Sequence, residues 1–127
     1  IAQQITNIHC SVTGAPRYFV QILFNDVPSE NYFLAGKPIE EDNIYVHAHI
    51  RGGRTIESKQ KIMTDILNTV ALETGADKSS LQVYLTDIPA NQVAEFGAVL
   101  PEPGEEQAWE DAQSAEAKAR MARLNAA

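Results

Sequence analysis

Two arginines three residues apart around a pair of glycines, Arg51-Gly52-Gly53-Arg54, are the densest chemical feature of the chain. Freed by the glycines, two guanidiniums can converge on one carboxylate or phosphate, because each offers a planar fork of N–H donors. A solvated turn with two surface arginines has the same pattern, and spacing alone leaves both readings open. Glu95 sits between Ala94 and Phe96 in a stretch with few charges. Such surroundings raise a carboxyl pKa or hold the group ready to activate water; a solvated loop acid is the alternative. Tyr84, between Val83 and Leu85, could polarise water or substrate, or simply pack. His9 lies at the edge of an apolar helical stripe, a place equally suited to a packed histidine. His47 and His49 share one face of a strand, a spacing that could begin a metal site. No third Cys, His or acid stands at ligand spacing, so they read as interface or surface histidines. Cys10 has no identifiable base and reads as a small buried side chain.

These residues must be positioned by elements whose signals are local. Asn43 to Arg51 alternates, with Ile44, Val46, Ala48 and Ile50 on one face and Tyr45, His47, His49 and Arg51 on the other, which predicts a strand. Gly52-Gly53 ends it, and Thr55 is placed to cap a long helix whose stripe of Ile62, Ile66 and Val70 runs to Gly75. That helix N-terminus adds N–H donors to the region of Arg51 and Arg54. Leu81 to Asp87 predicts another strand, Glu95-Phe96-Gly97 a loop or turn, and Glu105 to Leu124 a single terminal helix. Upstream, Ile1, Ile5, Ile8 and Val12 recur at helical spacing up to Gly14, and Tyr18 to Asn25 predicts a strand from its β-branched and aromatic content. Gly36 to Asp42 reads as a surface loop.

Strand, helix, strand over Asn43–Arg51, Ile56–Thr74 and Leu81–Asp87 is a complete β-α-β unit. The first helix and Tyr18–Asn25 make a second such unit that lacks its opening strand. The expectation is an α/β fold of tandem β-α-β units, with a four-stranded sheet, two helices on one face and a C-terminal helix. No close sequence repeat accompanies it, so any repeat is one of architecture.

The composition limits the function classes. The 127 residues hold 10 Lys plus Arg against 17 Asp plus Glu, a formal charge of −7, which argues against a nucleic-acid binder. Hydrophobic residues at 44% and charged residues at 21% are globular proportions. One cysteine excludes an internal disulfide framework and an all-cysteine zinc site. No apolar run approaches the length of a membrane span. A cytoplasmic, acidic, single domain over residues 1–127 is expected, with no membrane partner. Removal of an initiator Met generally needs a small second residue, so Ile1 is not expected to be the native start, and a preceding segment is.

Taken together, the chain resembles the cis-3-chloroacrylic acid dehalogenase group of the tautomerase superfamily. The resemblance runs from Ile5-Thr6-Asn7-Ile8-His9 and Thr13-Gly14 through Asp42-Asn43-Ile44-Tyr45-Val46-His47 to Arg51-Gly52-Gly53-Arg54. It continues through Val83-Tyr84, Ile88-Pro89-Ala90, Glu95-Phe96-Gly97 and Leu100-Pro101-Glu102-Pro103-Gly104 to Trp109. It implies a homotrimer without a cofactor or metal, acting on a small unsaturated carboxylate. His9, Arg51 and Arg54 would hold the carboxylate, and Glu95, assisted by Tyr84, would activate water for attack at the β-carbon. An amino-terminal proline, absent from the chain as it stands, would protonate the α-carbon. A 3-haloacrylate or an acetylenic acid would so become malonate semialdehyde. A phenylpyruvate-type tautomerase, a malonate semialdehyde decarboxylase and a non-catalytic anion-binding trimer remain as alternatives.

Overall fold

The computed structural model describes residues 1–126. Helix α1 spans Ala2–Thr13, and its last turn closes on Gly14 at φ 73. A small antiparallel hairpin follows, β1 (Phe33–Leu34) with β2 (Lys37–Pro38). Strand β3 (Ile44–Arg51) leads through helix α2 (Ile56–Thr74) to strand β4 (Leu81–Ile88). A second hairpin joins β5 (Ala94–Glu95) to β6 (Ala98–Val99), and helices α3 (Glu106–Asp111) and α4 (Ala115–Asn125) complete the described chain.

The β3-α2-β4 unit forms as its sequence predicts. Strands β3 and β4 run parallel in unbroken register from Ile44 opposite Leu81 to Arg51 opposite Ile88. Parallel pairing needs a crossover, and α2 supplies it. The Thr55 hydroxyl accepts the Ser58 N–H at 3.1 Å and starts the helix, while Gly75 at φ 75 ends it. Ile62, Ile66 and Val70 of α2 are buried with Ile50 and Leu81, and Ile1, Ile5, Ile8 and Val12 pack against that cluster. Both long helices therefore lie on the Ile44/Val46/Ile50 face of the sheet. Truncating one such buried aliphatic side chain to Ala costs about 2–5 kcal/mol.

The two halves of the chain repeat in structure at a constant offset of 61 residues. Thr13-Gly14 corresponds to Thr74-Gly75, and each threonine hydroxyl donates to the carbonyl four residues earlier, at 2.8 and 2.6 Å. The single 3-10 turns Ser29–Asn31 and Ala90–Gln92 correspond, each entered by a proline. The hairpin turns Ala35-Gly36 and Phe96-Gly97 correspond too, with all four residues at positive φ. Two consecutive positive φ values give the turn a twist that matches its strands.

Three expectations are corrected. Tyr18 to Asn25 forms no ladder: Arg17–Phe19 is a 3-10 turn, and no strand among the described residues pairs with the segment that corresponds to β4. β-Branched content favours extended backbone, but only a partner makes a strand. The main sheet accordingly has two strands among the described residues, where Tyr18–Asn25 would have supplied a third. The Gly36–Asp42 loop contributes β2 to the first hairpin. The terminal helix is divided, because the Ser114 hydroxyl accepts the Ala117 N–H at 3.1 Å and caps a new helix, α4. Met121 of α4 is fully buried, and the Asn125 side chain accepts the Tyr18 N–H at 3.2 Å, so α4 docks beside the turn at Arg17–Phe19.

Candidate active site

A cavity of about 210 Å³ opens where the C-terminal ends of β3 and β4 meet the second hairpin. His9 of α1, His49 and Arg51 of β3, Arg54 of the following loop and Glu95 of β5 line it, with Phe19, Ile88 and Leu100 as apolar wall. Four residues singled out by type and spacing, His9, Arg51, Arg54 and Glu95, thus share one concavity.

The alternation of β3 puts Arg51 on the face opposite the helices, and Gly52 and Gly53 let the chain turn there. Gly53 stands at φ 103, and a Cβ on it would lie 3.4 Å from Pro103 Cγ. Arg51 is buried: its Nη1 donates to the Pro101 carbonyl and its Nη2 to Glu106 Oε1, each at 2.6 Å. Its guanidinium also stands 5.1 Å from the Phe19 ring centroid. Arg54 Nη1 donates to the Thr13 carbonyl at the end of α1 at 3.1 Å, and its buried Nε has no partner among the described residues. Burial, and then the charge of Arg51, lower its pKa.

Burial pulls the His9 imidazole down to about 4, with help from Arg54 and then Arg51, so it stands neutral near pH 7. Its Nδ1 is buried without a protein partner among the described residues. A neutral imidazole beside two cations offers a donor and an acceptor without adding to their repulsion. Glu95 ends the first strand of the hairpin whose turn holds Phe96 at φ 54. Burial raises the Glu95 pKa against the opposing pull of Arg51. A carboxylate of raised basicity beside fixed cations can take a proton from water delivered to an anion held by them.

Tyr84 lies elsewhere. It faces outward from the middle of β4, 57% exposed, with its ring edge-on to Tyr45 at 5.0 Å. The expected partnership with Glu95 is therefore not made within one chain. His47 shares that open face, its Nε2 2.9 Å from Thr86 Oγ1. Cys10 is half-buried, and burial raises its thiol pKa.

Sequence reasoning missed three contributors. His49 reads by spacing as an interface or surface histidine, yet it lines the cavity, and its place two residues before Arg51 on the same strand face is the signal for it. Phe19, in the segment whose composition predicts a strand, instead closes the wall. Glu106 is 55 residues from Arg51 in sequence, and nothing local announces their pairing.

Residues 1–114 match the family model described as "Putative oxalocrotonate tautomerase enzyme". Among solved structures, the chain is similar to N1, a member of the cis-3-chloroacrylic acid dehalogenase family. The identity is 34% and the TM-score 0.90, over 96% of this chain and 85% of that one. A fused 4-OT, described as an asymmetric trimer, is similar at 25% identity and TM-score 0.69, over 77% and 80% of the two chains. Native RhCC from Rhodococcus jostii RHA1 shares the fold at 23% identity and TM-score 0.64, over 99% and 84%. No curated protein matches the chain in sequence. The family match over most of the chain, with the 34% identity to N1, makes this chain a member of the tautomerase superfamily, in its cis-3-chloroacrylic acid dehalogenase group.

Proposed function

We propose that the chain is an enzyme acting on small unsaturated carboxylates, by hydrolytic dehalogenation or hydration to malonate semialdehyde. The observation that carries this reading is the cavity in which a half-buried Glu95 shares a wall with Arg51, Arg54 and His9. The arginines and the neutral His9 hold the substrate carboxylate and draw electron density toward it. Glu95 takes a proton from water as its oxygen attacks the β-carbon, and the α-carbon receives a proton. In this reading that proton comes from the secondary amine of an amino-terminal proline ahead of Ile1. From a 3-haloacrylate the resulting β-halo alcohol loses hydrogen halide to give the aldehyde. From an acetylenic acid the enol of the same aldehyde forms.

The working unit in this reading is a homotrimer, as the fused 4-OT relatives are described. The exposed Tyr84 on the open face of β4 then serves the cavity of a neighbouring copy. Tautomerisation of an enol acid in the same pocket is the second reading, favoured by the likeness to fused 4-OT. Amino-terminal sequencing of the mature protein is expected to give proline. Incubation of that protein with 3-haloacrylates, propiolate and phenylenolpyruvate, followed by product analysis, separates the reactions. Malonate semialdehyde from the first two supports the proposal, and turnover of phenylenolpyruvate alone replaces it with the tautomerase reading.

A further inference from the structure

Glu106 has no part in the chemistry above, yet it sets the electrostatics of the cavity. Its Oε1 lies 2.6 Å from Arg51 Nη2, and its Oε2 accepts the Gly104 N–H at 2.9 Å. The Arg51 side chain is 7% exposed and that of Glu106 16%, so the pair faces little water and is weakly screened. Arg51 keeps N–H donors for a ligand, because a guanidinium has five and two are engaged. Its charge, however, is balanced from behind. Arg54 differs: its bond goes to a neutral carbonyl, and no carboxylate pairs with it among the described residues. Among the described residues the cavity wall therefore presents one cation without a carboxylate in contact, Arg54, which feels Glu106 only at a distance, together with one acid, Glu95.

We propose that Glu106, acting through Arg51, makes this site selective for substrates with a single carboxylate and turns away dicarboxylates. The proposal rests on the reading of the cavity as a carboxylate site. The first carboxylate is met by Arg54 and oriented by the spare donors of Arg51. A second one, confined within about 210 Å³, finds no free cation and lies close to Glu95. It would lose its hydration without gaining a partner, and like charges repel across a poorly solvated space. Without Glu106 the charge of Arg51 becomes available, and the second carboxylate gains a counter-ion.

The test is calorimetric binding, at pH 8 and low salt, of butyrate and succinate to the full protein and to its Glu106→Gln and Glu106→Asp variants. Neither ligand can react, and the two match in chain length. The protein is expected to bind butyrate about tenfold or more tighter than succinate. Glu106→Gln, which keeps an oxygen for Arg51 Nη2, is expected to narrow that ratio about tenfold, mainly through tighter succinate. That is the size of one unit charge at an effective dielectric near 20 about 12 Å away. Glu106→Asp keeps the charge and is expected to keep the preference. An unchanged ratio in a folded Glu106→Gln variant overturns the proposal. So does a parent protein that binds succinate as tightly as butyrate, whether or not the variant folds. Failure of the parent to bind either anion overturns the carboxylate-site reading itself, and the role of Glu106 with it.

Discussion

Arg120 of α4 holds its guanidinium 5.8 Å from the centroid of the Phe96 ring, so the C-terminal helix touches the turn that carries Glu95. Tyr18 meets the same ring edge-on at 5.5 Å. Phe96 stands at φ 54, a conformation that costs a non-glycine residue about 1 kcal/mol or more, and these two contacts help to hold it. Arg120→Ala removes a cation–π contact of about 0.5–1 kcal/mol. Turnover is expected to fall about two- to fivefold with little change in carboxylate affinity. Steady-state kinetics beside binding of an unreactive carboxylate checks the split.

Arg54 carries the free charge of the cavity, and its loss is expected to be the most costly for binding. Arg54→Ala is expected to weaken carboxylate affinity about ten- to a hundredfold, the worth of one charge-assisted contact. Arg54→Lys is expected to recover little, since an ammonium lacks the planar fork. Inhibition constants of a saturated carboxylate measure both.

Glu95→Gln preserves the shape of the side chain and removes the base. Water addition is expected to fall by a hundredfold or more, within the usual range for removing a general base, while enol tautomerisation persists. Burial raises the Glu95 pKa, and the base must be ionised to act. The rate is therefore expected to fall on acidification at a pH above that of an ordinary carboxylate. Equal loss of both activities in the variant would give Glu95 a structural role instead.

His9 provides a stability test independent of activity. Its imidazole titrates near 4 in the folded protein against 6.5 as the ordinary value. Between those values the unfolded chain binds the proton that the folded one refuses, so stability rises with pH there. The contribution is complete above about 6.5 and is lost as pH falls toward 4. Melting temperatures from pH 4 to 8 are expected to fall on the acid side in the parent, and less steeply in His9→Gln.

Tyr84 and Glu95 are expected to complement each other between copies. Tyr84→Phe and Glu95→Gln, each impaired alone, are expected to recover activity when unfolded together and refolded as mixed trimers. Random assembly restores both side chains in about a quarter of the sites. Mixtures no more active than their components would place Tyr84 outside the reaction.

The parts of this molecule that local chemistry dictates were legible without its tertiary structure. The Thr55 cap, the Ile62/Ile66/Val70 stripe and the alternation of β3 define the β3-α2-β4 unit, because helix and strand periods are written within a few residues. The same alternation, with Gly52-Gly53, placed Arg51 and Arg54 at a strand end. Tertiary structure decided what meets across distance. It brought Glu106 onto Arg51, moved Tyr84 to an open sheet face, drew His49 into the cavity wall and left the segment after Phe19 without a ladder. It also decided the 61-residue repeat, in which Ala35-Gly36 and Phe96-Gly97 take the same turn although Ala35 and Phe96 differ. Periodicity specifies which face of an element is apolar. Which side chains converge, and which charges balance, depends on how those faces dock, and docking is set by packing between residues far apart in the chain.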